Sequence, residues 1–175
     1  PREAPSELRV SKVGSTIANI HWKPVDLSSV QGEFKEYRLY YYRESSLVPG
    51  LVVSKEKKTT GFYTTVPEPS GIVKDLMPYS RYQMFMVVAN NRFESPPSNT
   101  VEFTTEEDVP DAPRFFRIYR RSLDTLHLEW GKPLEPNGIL IGYQLKYRRG
   151  DFLHFVMRQI FTHLFDISTY RQETA

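Results

Sequence analysis

Apolar and polar side chains alternate with a period of two along much of this chain. Ala18, Ile20 and Trp22 alternate with Asn19 and His21, as a strand with one buried face requires. Tyr37, Leu39 and Tyr41 form a second such run. Tyr82, Met84, Met86 and Val88 alternate with Gln83, Phe85, Val87 and Ala89 over a longer one. Leu8-Arg9-Val10 opens the series, Ile72 and Leu76 mark a further segment, and Val101 and Phe103 close it. About seven short strands joined by turns predict a β-sandwich.

The pattern returns roughly 110 residues later, a spacing near the size of one small sandwich domain. Ala4-Pro5, Thr16 to Trp22 and Tyr37 to Tyr41 recur as Ala112-Pro113, Thr125 to Trp130 and Tyr143 to Tyr147. Leu126, Leu128 and Trp130 again alternate with His127 and Glu129. Between the copies lies an acidic, proline-punctuated stretch, Thr104-Thr105-Glu106-Glu107-Asp108-Val109-Pro110-Asp111, which suits an inter-domain joint. The expected organisation is a complete domain over 1–106, a linker over 107–112, the first half of a second domain over 113–149 and a divergent tail over 150–175. After Tyr147 the strand pattern is lost, so the second sandwich lacks the later strands that would cover the earlier ones. In the tail, apolar residues at 152, 153, 156, 160, 164 and 167 fit a helical stripe better than a strand.

Composition narrows the classes. Of 175 residues, 39% are hydrophobic and 25% charged, enough apolar matter for a packed core. Pro 13 outnumbers Gly 9 and aromatics reach 14%, which favours short strands with stiff connections. Lys+Arg 23 against Asp+Glu 21 leaves no global field drawing the chain to nucleic acid. Cys 0 removes a disulfide framework, thiolate chemistry and sulfur-bound zinc. No run of 18 apolar residues exists, so no segment is expected to insert in a membrane. The chain begins at Pro1 with no Met and no signal peptide and reads as an excerpt of something longer.

Enzyme chemistry finds no residues to stand on. His21 and His127 hold equivalent outward strand positions beside Trp22 and Trp130, and neither has further ligands converging on it. His154 and His163 have a spacing without metal logic. No Gly-rich phosphate loop, nucleophile elbow or carboxylate pair appears, so no cofactor, metal or small-molecule substrate is expected. Two short tracts invite a binding reading. Lys55-Glu56-Lys57-Lys58 has the charge to meet heparan sulfate or an acidic partner, although such runs usually just face water. Arg149-Gly150-Asp151 spells a tripeptide read by some integrins, a weak signal without an exposed turn to carry it.

One corner is more specific. In Leu76-Met77-Pro78-Tyr79-Ser80-Arg81-Tyr82 a Tyr starts a strand six residues after Leu76 and four after Pro78. That spacing predicts a tyrosine corner, the phenol buried and its hydroxyl returning to upstream backbone. With Pro5, Trp22, Tyr37 and Asn90 it resembles a fibronectin type III domain across residues 4 to 105. Trp130, Pro133 and Pro136-Asn137-Gly138 with Ile141, Tyr143 and Tyr147 resemble the first half of another. Tyr40-Tyr41-Tyr42-Arg43-Glu44-Ser45-Ser46-Leu47 and Pro136 to Tyr143 further resemble paired repeats of the neural cell adhesion molecules of the neurofascin, NrCAM and neuroglian family.

The resemblance implies an all-β, immunoglobulin-like fibronectin type III sandwich followed by a truncated second one, to which the periodicity of the tail adds a helical segment. It implies an extracellular part of a plasma-membrane protein, neuronal and non-enzymatic, with cell-surface adhesion proteins as homophilic or heterophilic partners and a role of the axon-guidance or neurite-outgrowth kind. It covers residues 1 to 148 and stops there. No Asn-x-Ser/Thr acceptor exists, and Gly14 stands where relatives tend to place the Asn.

In a fibronectin type III sheet the strands carrying Tyr37 to Tyr41 and Tyr82 to Val88 are neighbours. Their outward residues Tyr40, Tyr42, Phe85 and Val87, rimmed by Arg38 and Arg43 and joined by Phe93 in the next loop, form a candidate protein interface. The bland alternative is ordinary cross-strand pairing. Two other functions compete. A cytokine-receptor-like ligand-binding pair shares the geometry but generally needs cysteines and a Trp-Ser-x-Trp-Ser box, which this chain lacks. A passive spacer needs neither site.

Overall fold

The computed structural model describes residues 1–148 and 154–161. The chain divides into two compact units, Pro1–Glu107 and one beginning at Asp108.

Seven strands build the first unit: β1 (Ser6–Val13), β2 (Ala18–Lys23), β3 (Phe34–Ser46), β4 (Lys58–Phe62), β5 (Ser70–Val73), β6 (Ser80–Asn90) and β7 (Val101–Thr104). They pair antiparallel as a three-stranded sheet in the order β1-β2-β5 and a four-stranded sheet in the order β4-β3-β6-β7. Every described element of this unit is a strand, a loop or the single 3-10 turn Leu27–Val30. Strand alternation decides what fills the space between the sheets. Leu8, Ala18, Ile20 and Trp22 enter from one side, and Tyr37, Leu39, Tyr82, Met84, Met86 and Val88 from the other, all buried. On β5 it is Val73 that enters, while Ile72 is half exposed at 51%.

Trp22 is the centre of this packing. Its ring lies 5.5 Å from Tyr37 and 5.4 Å from Phe62, tilted against both. Phe62 reaches across from β4 because Gly71 on β5 has no side chain. A Cβ at Gly71 would sit 2.3 Å from the Phe62 ring. Tyr37 also closes the end of the core, its hydroxyl accepting from the Val25 amide at 3.1 Å. β4 was not located from sequence, because Lys58-Thr59-Thr60-Gly61-Phe62 mixes one charge, two β-branched residues and a glycine without a period.

The corner before β6 is held by side chains. The buried Tyr82 phenol accepts from the Met77 amide at 2.7 Å, with Leu76 and Pro78 buried beside it. Thr105 clamps the same turn, donating to the Met77 carbonyl at 2.7 Å and accepting from the Ser80 amide at 3.0 Å. These bonds replace a backbone ladder that the crossover between sheets interrupts.

The second unit contains β8 (Phe116–Arg121), β9 (Leu126–Trp130), β10 (Leu140–Arg148) and β11 (His154–Phe161), paired as two separate hairpins. Here the helical expectation for the tail is overturned over its described part. Residues 154–161 form a strand, in register with β10 from Arg148↔His154 to Leu140↔Phe161. A free edge on β10 satisfies every backbone group that pairs with it, whereas an isolated helix this short is marginal in water. The rest of the expected stripe, positions 152, 153, 164 and 167, lies outside the described residues. So does Arg149-Gly150-Asp151. Trp130 stacks edge-on against Tyr143 at 5.6 Å but stays 39% exposed, where its counterpart Trp22 is 2% exposed. Ile118 and Ile141 are exposed as well.

Two outcomes test this description. Tyr82→Phe strands the Met77 amide beside the core and should cost about 1 to 3 kcal/mol in urea denaturation; a change under a few tenths would dismiss the corner bond. Residues 113–175 expressed alone should bind a hydrophobic dye and aggregate, because Ile118, Trp130 and Ile141 are exposed among the described residues. Sharp cooperative unfolding of that piece as a monomer would show instead that it completes a domain.

Candidate protein interface

β3 and β6 occupy the middle of the four-stranded sheet, and alternation sends Arg38, Tyr40 and Tyr42 of β3 to its outer face. Their register partners on β6 are Val87, Phe85 and Gln83. Tyr40 and Phe85 stack with centroids 5.3 Å apart and planes 26° apart. The Lys57 ammonium caps the pair at 5.0 Å from the Tyr40 centroid and 6.0 Å from that of Phe85, a cation–π arrangement. Tyr42 donates its hydroxyl proton to Gln83, which in turn donates to Glu102 on β7 at 2.6 Å.

A charged network frames these rings. Glu36 is buried, and Arg38 Nε donates to its Oε1 at 2.8 Å. The other guanidinium nitrogens reach Glu36 and Glu94, and the Tyr40 hydroxyl also donates to Glu94. Gly61, opposite Arg38 on β4, makes room for the Glu36 carboxylate: a Cβ there would lie 2.1 Å from Oε2. Hydrogen bonds to Glu36 and then to Glu94 hold the Arg38 guanidinium firmly protonated. For Glu94, burial pushes the carboxyl up, but the bonds from Tyr40 and Arg38 outweigh it and leave the group below its ordinary value.

Of the residues assigned to this face from sequence, Val87 is covered and Arg43 is off it. Val87 points outward but is buried, at 3% exposure. Glu94 bridges to Ala89 on the edge of β6 away from β3, so Arg38 and Tyr40 cross above Val87 to reach it. Arg43 registers with the core residue Tyr82, which places it on the inner side, and its Nε donates to Ser80 Oγ at 2.9 Å. The alternation that turns Tyr41 inward turns Arg43 the same way. Tyr40, Tyr42 and Phe85 are half-buried on the face, and Phe93 is exposed in the turn after β6, its amide bonded to Asn90 at 2.7 Å. Sequence reasoning missed Glu36, Glu94 and Lys57. Glu36 lies two residues before Arg38 on β3, so alternation already puts it on the same face, whereas only the folded loops bring the other two over the sheet.

A family model described as "Fibronectin type III domain" matches residues 3–104. The chain belongs to the fibronectin type III family. It is similar to chicken (Gallus gallus) neurofascin, 43% identical over 150 residues that span 85% of this chain and 11% of that protein. It is also similar to mouse (Mus musculus) neuronal cell adhesion molecule, 41% identical over 148 residues, 85% of this chain and 12% of that one. The chain thus spans about a tenth of the length of these relatives. Among solved structures, the third fibronectin III domain of a human protein in solution superposes with a TM-score of 0.52 at 35% identity, covering 64% of this chain and 89% of that one. The neurofascin-like character read from Tyr40 to Leu47 and Pro136 to Tyr143 is thereby shown. Among the described residues no helix is long and apolar enough to cross a membrane.

The Glu94 network has a pH signature. A carboxyl held below its ordinary value adds stability that is fully present above about pH 4.3 and is lost as pH falls below that through the folded value. Melting temperature measured from pH 6 down to about pH 3 should therefore fall more steeply for the native chain than for Glu94→Gln. Parallel profiles would mean that the Tyr40 and Arg38 bonds to Glu94 do not form.

Proposed function

We propose that the chain is part of the extracellular region of a neuronal cell-surface adhesion receptor and works by protein contact rather than catalysis. The observation that carries this reading is 43% identity to neurofascin over 150 residues, a stretch longer than the first unit and so reaching into both. Neuronal cell adhesion molecule and the L1-like proteins match over nearly the same share of the chain. The finer reading places contact on the outer face of the four-stranded sheet, through Tyr40, Tyr42, Phe85 and Phe93 beside Arg38. Half-buried aromatics next to an arginine have the composition of an interface centre. The stacked Tyr40–Phe85 pair under Lys57 presents them pre-ordered, so little side-chain entropy is lost on contact.

A spacer reading draws on the same bonds. Arg38, Tyr40 and Gln83 already have partners within the chain, and cross-strand pairs of this kind stabilise a sheet by about 0.2 to 1 kcal/mol each. Beads coated with the chain separate the two. Tyr42→Ser with Phe85→Ser should abolish homophilic or heterophilic bead aggregation while lowering the melting temperature by only a few degrees. Unchanged aggregation, or a loss that merely tracks unfolding, assigns these residues to the sheet's own stability and removes the contact face.

A further inference from the structure

The two outer faces of the first sandwich handle charge differently. On the four-stranded sheet Arg38 lies between two carboxylates and Lys57 rests on two rings. On the three-stranded sheet Arg9 and Lys12 of β1, Lys23 of β2 and Lys74 just after β5 are all exposed. Among the described residues no ion pair reaches any of these four. Arg9 donates only to the Glu7 carbonyl, at 3.1 Å.

Register places three of the four on one surface, and Lys74 follows directly after β5. Arg9 is opposite His21, Lys12 opposite Asn19 and Lys23 opposite Ser6, while Asn19 and His21 continue to Ile72 and Ser70 on β5. Register partners share a face, and the intervening Ile20, Trp22 and Val73 are in the core, so this row faces water. His21 Nε2 and Ser11 Oγ hydrogen-bond at 2.8 Å in its middle. With strands about 4.8 Å apart and alternate residues about 7 Å apart, the cations are strung over roughly 14 to 20 Å rather than gathered at a point. Glu7 and Glu68 stand at the Arg9 end, where they line a recess of about 530 Å³ together with Arg9 and Lys23. Arg9, His21 and Lys23 of the row line that recess with the two carboxylates, without an ion pair among the described residues; Asp75 follows Lys74 at the other end.

The chemistry between the cations selects the occupant. Stacking with single-stranded nucleic acid needs aromatic platforms, and the row has none. Insertion into a lipid surface needs a continuous apolar face, whereas the exposed Ile17 and Ile72 are interrupted by Asn19 and the cations. A protein interface centre would carry Tyr, Trp or Arg clusters around apolar contact. What remains is a linear row of unpaired cations interleaved with Ser11, Asn19, His21 and Ser70, groups that hydrogen-bond to hydroxyls and sulfates alike. We propose that the outer face of β1, β2 and β5, through Arg9, Lys12, His21, Lys23 and Lys74, binds a linear sulfated polysaccharide. This surface is the reverse of the sandwich from the Tyr40–Phe85 face, so either assignment stands or falls without the other.

Immobilised heparin is the probe, with the 175-residue chain in solution over a range of salt concentrations. The native chain should bind at about 0.15 M salt. Arg9→Gln, Lys12→Gln and Lys23→Gln together should weaken binding by about tenfold or more and lower the slope of log affinity against log salt by about two to three, with circular dichroism unchanged. Lys12→Glu with Lys74→Glu, at the other end of the row, should weaken it too, which guards against a local fold defect. Heparin stripped of its sulfates, and anionic phospholipid vesicles, should not compete. Absence of binding by the native chain overturns the proposal. So does full retention by both variants, loss instead in a Lys55→Gln, Lys57→Gln, Lys58→Gln variant, or displacement by the vesicles.

Discussion

Contact of the Trp22 indole with Tyr37 and Phe62 is the constraint on which the sandwich rests. Trp22 enters from the three-stranded sheet, Tyr37 from the centre of the four-stranded one, and Phe62 from its edge. The three rings therefore join both layers at one place. Burying each ring is worth on the order of 1.5 to 3 kcal/mol, and the tilted geometry adds to that. Gly71 is part of the same constraint, since any side chain there would collide with Phe62. In the second unit Trp130 meets Tyr143 edge-on and, among the described residues, its indole stays 39% exposed beside two separate hairpins.

Once Trp22 sets which side is core, strand alternation sets both outer faces, and they come out chemically unlike. The four-stranded face is self-satisfied: Glu36, Arg38, Glu94 and Tyr40 bond to one another, and Lys57 seals the Tyr40–Phe85 stack. The buried Glu36 carboxylate is tolerated because Arg38 reaches it and Gly61 clears its path; an unpaired buried carboxylate would cost far more. The three-stranded face leaves its cations without an ion pair among the described residues, although Glu7 and Glu68 stand near Arg9 and Lys23. A unit whose total charge nearly balances can thus present two surfaces of different electrostatic character.

A fibronectin type III sandwich does not by itself specify what it binds, because function resides in sites placed on a fold. Similarity to neurofascin supports the broad class proposed for it, a neuronal adhesion segment. The outer residues supply the contacts proposed for it, aromatic on one side and cationic on the other. Neither surface requires a cofactor or a moving part. Each consists of short strands held at fixed spacing by the same ring contacts, which keeps its groups in register.

The sequence by itself determined the layers. Period-two alternation at Ala18 to Trp22, Tyr37 to Tyr41 and Tyr82 to Val88 assigns an inner side, because burial acts on every second residue and leaves its mark in composition. The Leu76 to Tyr82 spacing likewise announced its corner, since that turn depends on local chain geometry. Tertiary structure alone decided the rest. Val87 lies under Arg38 and Tyr40 because Glu94, distant in sequence, draws both across β6, and no local pattern encodes that reach. Arg43 turns toward Ser80, and Lys57 leaves an apparently solvated basic tract to sit on two rings. Residues 154–161 hold two positions of the expected helical stripe, 156 and 160, yet pair with β10, because an unpaired strand edge offers backbone bonds that the periodicity of side chains does not record.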